Sequence, residues 1–383
     1  MAVGLIIIIS LYCKNAESQN EAVFLPDVTV CAGAEWDTQN LTQDSIVYTC
    51  RQICAEGWQH CTYTVSGETD HSGCLIPHLA FVVEGMGGEL RWSCGGTTTL
   101  FIYNGMGGAE WGASGEESRE LEKDGVRLVE VKWEGGVLLD GIRLGWFSRK
   151  NGNGTTIREL SGRPGAIIKW VHDNLSQNYT FGTAGCSGGG MATFSPVYWY
   201  YKELAPTLDY QFITGAALPW DVEAWCGVNR ENEGRCENAP MMKCETDKDC
   251  IAPRGRCAYP KVTMRSLVGI AVRTLVDYII GGGKKCVVSA GHPLMRESSY
   301  RYTPGSYDYN HKIDFDFGEG EPGEESLDDT LLGFTGNAAY IYEQLTGPKE
   351  WFDNDGYSHC ASSGNPELVP ITLDRIRKGL KLK

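Results

Sequence analysis

The stretch Gly185-Cys186-Ser187-Gly188-Gly189-Gly190 limits the folds open to this chain more than any other. Before it, Asn178-Tyr179-Thr180-Phe181-Gly182-Thr183 is aromatic and β-branched and predicts a strand; after it, Met191-Ala192-Thr193-Phe194 predicts the start of a helix. A Gly-x-Ser-x-Gly run between a strand and a helix demands a sharp turn that strains the backbone of Ser187. Glycines are needed at Gly185 and Gly189, where side chains would strike neighbouring backbone. The hydroxyl then projects outward, and the helix N-terminus behind it favours developing negative charge. In a chain with 48 glycines the run by itself says little, so the remaining sequence decides its meaning.

The 383 residues, 42% hydrophobic and 22% charged, suffice for one large domain with insertions or for two domains. A net charge of -15 argues against nucleic acid as a partner and against a basic membrane-docking surface; solubility is the simpler reading of the acidity. Residues Met1–Tyr12 form an apolar run about as long as a signal-peptide core and too short to span a bilayer comfortably. It lacks a preceding basic residue; cleavage is expected near Ala16 to Ser18, giving a signal peptide over residues 1–18. With Cys13 removed, 14 of the 15 cysteines remain, which in an exported chain read as a disulfide framework. No Cys-x-x-Cys pair is present, so structural zinc is not expected; no other metal and no cofactor is expected either. Sequons at Asn40, Asn153, Asn174 and Asn178 agree with secretion as a glycoprotein.

Taken in order, residues 19–94 hold Cys31, Cys50, Cys54, Cys61, Cys74 and Cys94 and read as a disulfide-rich N-terminal region, with a β-like run at Leu79–Val83. Six cysteines allow 15 pairings, and the sequence does not choose among them. From residue 95 the texture changes. Thr97–Tyr103 predicts a buried strand that ends in the turn Asn104-Gly105-Met106-Gly107-Gly108, whose backbone amides suit an oxyanion if the turn lies beside the serine. Val126–Trp133 predicts a second strand and Ala166–Leu175 a helix; Leu208–Gly215 predicts a strand after the serine turn. Cys226, Cys236, Cys244, Cys250 and Cys257 then mark a Cys-rich cap insertion at about 221–260, followed by helical periodicity over Met264–Ile280. Lys312–Gly318 predicts a strand, with an acidic loop behind it; Leu331–Leu345 predicts a helix, Trp351–Cys360 a loop, and Leu368–Leu382 an amphipathic final helix. Strands alternating with helices imply a mainly parallel sheet with helices on both faces, an α/β class.

Ser187, an acidic loop after a strand, and His359 before the last helix follow one another in the chain. In this order, and in the Asn104–Gly108 turn and the Gly185–Gly189 serine turn, the chain from about Thr97 onward resembles the α/β-hydrolase superfamily. The resemblance implies an α/β-hydrolase fold and a Ser-acid-His triad. Ser187 would be the nucleophile and His359 the base, with backbone amides of Gly188 and of Met106 or Gly107 holding the oxyanion. Of the histidines after Ser187, His292 and His311 precede the acid strand, which leaves His359. The acid is Glu321 or Asp329: Gly318-Glu319-Gly320-Glu321-Pro322 is similar to a turn common in the superfamily, whereas Asp329 is the usual residue type but sits where a helix cap is expected. Cys186 reads as a buried cysteine beside the strand, and Cys360 as a residue whose disulfide pins the histidine loop.

The function expected is that of a secreted serine hydrolase cleaving small-molecule carboxylic esters through an acyl-enzyme. The alternatives are a non-enzymatic binding protein on the same fold, or a lyase or transferase using the same site. Tyr198, Trp199, Tyr200, Tyr201, Trp220 and Trp225 would suit an apolar or aromatic substrate group, although such side chains are more often core.

Overall fold

A computed structural model of the chain describes residues 25–30, 37–38, 45–54, 57–66, 78–93, 96–105, 108, 116–134, 144–148, 155–216, 218–219, 222, 235–236, 239–243, 257–258, 293–303, 305–319, 334–355, 360 and 365–382. A nine-stranded sheet runs through it in the order β1 (Val28–Val30), β5 (His78–Val83), β6 (Met86–Trp92), β8 (Val126–Trp133), β7 (Thr98–Tyr103), β9 (Thr180–Cys186), β10 (Tyr210–Thr214), β14 (Lys312–Glu319) and β15 (Lys349–Asp355). From β8 to β15 all neighbours are parallel. The three strands on the other side, β6, β5 and β1, are antiparallel additions. Two small sheets are not hydrogen-bonded to it: β2 (Asp37–Thr38), β3 (Ser45–Cys54) and β4 (Gly57–Ser66), and β11 (Arg235–Cys236), β12 (Ala239–Lys243) and β13 (Cys257–Ala258). In these, Cys50 stands opposite Cys61 and Cys236 opposite Cys257.

Parallel neighbours need crossovers, and helices supply them. Helix α1 (Glu116–Lys123) joins β7 to β8, α2 (Ile157–Val171) lies between β8 and β9, and α3 (Gly188–Trp199) follows β9. Beyond α3 come the short α4 (Tyr201–Leu204) and α5 (Pro293–Glu297), then α6 (Phe334–Gln344) between β14 and β15 and the closing α7 (Val369–Gly379). Period-two alternation along the central strands splits the core in two. Phe101, Tyr103, Val129, Val131, Phe181, Ile213 and Phe315 pack with α2 and α3 on one face. Leu100, Leu128, Ala184 and Phe212 pack with α1 and α7 on the other, through Leu121, Val369, Leu373 and Ile376. The mainly parallel sheet with helices on both faces is therefore present, and its strand order, with the serine turn at its centre, fits an α/β-hydrolase fold.

Three expectations need correction. The boundary at residues 94/95 does not divide the sheet, because β5 and β6 are two of its strands and β6 pairs directly with β8; the buried Arg91–Glu130 ion pair crosses that pairing at 3.1 Å. Glycines in Met86–Trp92 hid this strand from a propensity reading. The loop expected over Trp351–Cys360 begins as β15, an edge strand whose Trp351 stacks on Phe317 with ring centroids 5.1 Å apart; only one of its faces needs apolar residues. Helix α2 starts nine residues before Ala166 because Thr156 and Glu159 form a capping box: the Glu159 amide donates to the threonine hydroxyl at 3.0 Å, and the Thr156 amide donates to the glutamate at 2.8 Å. The cap region expected at about 221–260 is described only at Val222 and in its three short strands, and Met264–Ile280 lies outside the described residues. Among the described residues no helix is long and apolar enough to cross a membrane.

Candidate active site

Strand β9 ends at Cys186 and α3 begins at Gly188, so Ser187 alone makes the turn, with φ 55° and ψ −122°. That is a region non-glycine residues avoid, at a typical cost of about 1–3 kcal/mol, and it persists only where the surroundings force it. The surroundings here are tight. The Ser187 amide donates to the Thr214 carbonyl at the end of β10 (3.0 Å), and the Ser187 carbonyl accepts from Met191 in α3 (3.1 Å). A Cβ on Gly185 would stand 2.4 Å from the Gly189 carbonyl group, and one on Gly189 would stand 2.4 Å from Tyr103 O and 2.5 Å from Asn104 O. The backbones of β9, α3 and the end of β7 thus meet with no side chain between them. Ser187 is half-buried, and its side chain makes no capping bond to α3. Gly188 opens α3, whose first-turn amides lack intrahelical acceptors and whose dipole favours an anion.

The glycine turn after β7 lies beside this serine. The position a Cβ would take on Gly105 is 3.6 Å from Ser187 Cβ and 3.8 Å from the Cys186 carbonyl oxygen. The turn is held from inside: the Gly105 amide donates to Asn104 Oδ1 (2.7 Å), and the Gly108 amide donates to the Gly105 carbonyl (3.0 Å). It is also held from the sheet, where the Trp133 amide donates to the Gly108 carbonyl (2.8 Å). Tyr103, just before the turn, donates its hydroxyl to the Pro164 carbonyl in α2 at 2.9 Å. Met106 and Gly107 lie outside the described residues.

A disulfide joins Cys186, the residue before the serine, to Cys360, the residue after His359 in the chain; their Cα atoms are 5.8 Å apart and 174 positions separate them. Cys360 has φ 60°, the only other described residue near the site, besides Ser187, in that left-handed region without being glycine. The sequence indicated a disulfide at Cys360 and left its partner open; the structure gives Cys186, read as a buried cysteine beside the strand. The matched placement, one cysteine before the serine and one after the histidine, was the signal that could have found it. His359, Glu321 and Asp329 lie outside the described residues.

The other titratable groups on these strands are occupied elsewhere. His311, 3% exposed, sits before β14, where its Nε2 is 2.9 Å from Gln211 Oε1; burial pushes it down to about 4. Asp316 pairs with Arg375 of α7 at 2.9 Å, and Asp314 accepts from the Tyr210 hydroxyl at 2.8 Å while burial holds its carboxyl above the usual range. Tyr198, Trp199 and Tyr200 are core rather than pocket: Tyr198 packs on Tyr300 with centroids 4.5 Å apart, and the Trp199 indole donates to the Thr303 hydroxyl at 2.7 Å. Trp220 and Trp225 lie outside the described residues. Among the described residues no group of three or more His, Cys, Asp or Glu side chains is placed to hold a metal ion.

No family model matches the chain, and no curated protein matches it. Among solved structures it is similar to acetyl xylan esterase 1 from Thermoanaerobacterium sp. JW/SL YS485, with 13% identity over 97% of this chain and 93% of that one and a TM-score of 0.43. It is also similar to an acetyl xylan esterase from Paenibacillus sp. R4, with 10% identity, coverage of 97% and 93%, and a TM-score of 0.45. A hyperthermophilic esterase from the archaeon Pyrobaculum calidifontis follows, with 13% identity, coverage of 77% and 81%, and a TM-score of 0.41. With TM-scores this low, these likenesses carry no weight for what the chain does; the fold reading rests on strand order and on the strained serine between β9 and α3.

Proposed function

We propose that this protein is a serine hydrolase that cleaves carboxylic esters through an acyl-enzyme on Ser187. The observation that carries the reading is the pairing of a strained Ser187 with a disulfide that ties its neighbour Cys186 to the neighbour of His359. Successive Cα atoms are 3.8 Å apart, so the bond keeps the serine and histidine Cα atoms within about 13 Å of each other whatever path the loop takes. A serine hydroxyl needs an adjacent base to attack at neutral pH. His359 takes its proton as Oγ bonds to the ester carbonyl, then gives that proton to the leaving alcohol as the carbon–oxygen bond breaks. Water, deprotonated by the same histidine, releases the acid and restores Ser187. Glu321 or Asp329 orients the imidazole. The amides of Gly188 and of Met106 or Gly107 hold the oxyanion, each donor contributing roughly 3–4 kcal/mol.

Fluorophosphonate labelling tests the reading: the wild type is expected to label, and Ser187→Ala and His359→Ala are expected to lose the label. A well-folded wild type that does not label overturns it in favour of a binding protein.

The same reading includes secretion, with residues 1–18 as a signal peptide and the cap at about 221–260 beside the site. Of the two described sequons, Asn178 is the better glycan acceptor: it is exposed in the turn before β9, whereas the Asn174 amide donates to the Trp170 carbonyl (2.8 Å) and Ser176 of its sequon is buried.

A further inference from the structure

We propose that Asn104 is a positioning residue for the reaction at Ser187, holding the glycine turn at its working distance from the nucleophile. The inference rests on the serine-hydrolase reading and adds a residue to it. Asn104 lies where three backbones meet. Its carbonyl oxygen faces α3 so closely that a Cβ on Gly189 would come within 2.5 Å of it. Its Oδ1 accepts from the Gly105 amide at 2.7 Å, shorter than the usual 2.9–3.0 Å for such a bond. Gly105 in turn faces the nucleophile, with 3.6 Å from its Cβ position to Ser187 Cβ.

Of the hydrogen bonds that fix this turn, those at Gly108 and Trp133 run from backbone to backbone. The Asn104 bond to Gly105 is made by a side chain. A substitution therefore removes it while these two backbone anchors remain. It also engages the Gly105 amide, so that this donor does not compete for the reacting carbonyl. Energetics separate the two kinds of role. Gly105 is only half-buried, so water can replace the lost acceptor and the cost to folding stays small. Catalysis is less forgiving, because a displacement of about 1 Å in an oxyanion-binding group costs on the order of 100-fold in rate. An asparagine oxygen provides the acceptor without placing a negative charge beside a developing oxyanion, which an aspartate would do.

The test uses the full-length protein as wild type, Asn104→Ala and Asn104→Ser, the serine keeping a side-chain acceptor. Labelling by a fluorophosphonate is followed as a function of its concentration, with thermal melting alongside. Asn104→Ala is expected to slow labelling at saturation by about 10–100-fold with the half-saturating concentration within about twofold of wild type, and to melt within a few degrees of it. Asn104→Ser is expected to recover most of the rate. A rate for Asn104→Ala within twofold of wild type overturns the proposal. So does a loss that tracks the unfolded fraction, or a serine variant as slow as the alanine. A wild type that does not label overturns the underlying hydrolase reading instead, and this proposal with it.

Discussion

The two ends of the central strands are built on opposite terms. At the C-terminal ends of β7 and β9 the chain is small and strained: Ser187 and Cys360 have positive φ, three backbones touch through glycines, and the serine is half-buried. Toward the N-terminal ends of β10 and β14 the side chains are large, polar and buried. His311 meets Gln211, whose Nε2 donates to the Thr193 carbonyl at 3.0 Å; Ser195 and Tyr300 share a hydrogen bond at 2.6 Å; Tyr210 donates to Asp314. His311, whose pKa burial lowers, lies at this structural end. Desolvation alone accounts for His311, so its low pKa reports burial and not a task. The proposed site, on this comparison, lies where the backbone is forced and the serine is half-buried, and not where ionisable groups are most hidden.

Experiments can break this contrast, the largest effect first. Replacing Cys186 and Cys360 by serine removes a bond spanning 174 positions, which is expected to cost about 2–5 kcal/mol in denaturant unfolding and to slow phosphonate labelling at least tenfold. Full labelling without the bond would mean that the tether does not serve the site. Gly185→Ala, whose Cβ would stand 2.4 Å from Gly189 backbone, is expected to lose about 3 kcal/mol or more. Gly105→Ala, with 3.6 Å of room, is expected to fold with near-normal stability; equal losses in the two variants would contradict the close contact at the elbow.

At the other end the test is acid. Burial holds His311 at about 4 against an ordinary 6.5, so as pH falls the unfolded chain takes up the proton first. Its stability is thus full above about pH 6.5 and declines toward pH 4, by roughly 3 kcal/mol. His311→Gln should lessen that decline in urea midpoints measured across this window; identical pH profiles would show that the group does not titrate as its burial requires. The smallest effect belongs to Asn178→Gln, expected to remove one glycan from protein secreted by a eukaryotic host without changing its melting; an unchanged mass would return the assignment to Asn174.

Much of the frame was legible because it rests on local patterns. Thr98–Tyr103, Val126–Trp133 and Tyr210–Thr214 announce themselves as continuous apolar or β-branched runs, as strands buried on both faces do. The serine turn was legible because its glycines have a local steric cause. What escaped was not local. Met86–Trp92 is a strand because β8 and β5 pair with it on either side, not because of its own propensity. Lys349–Asp355, rich in acidic and amide residues, becomes a strand by docking on β14. Asn104 looked like any turn residue until the position of Gly189 gave its carbonyl and side chain a purpose.

The amino-acid sequence alone determined that a strand must turn sharply into a helix at Ser187 and that strands and helices alternate after residue 97. Each follows from residue type and spacing within a few turns of chain. Only the tertiary structure decided that Cys186 and Cys360 are partners, that the turn at Gly105 lies against the serine, and that His311 belongs to the core. Those facts depend on which distant segments the sheet order brings together, and with 174 positions between two cysteines no local preference encodes that choice.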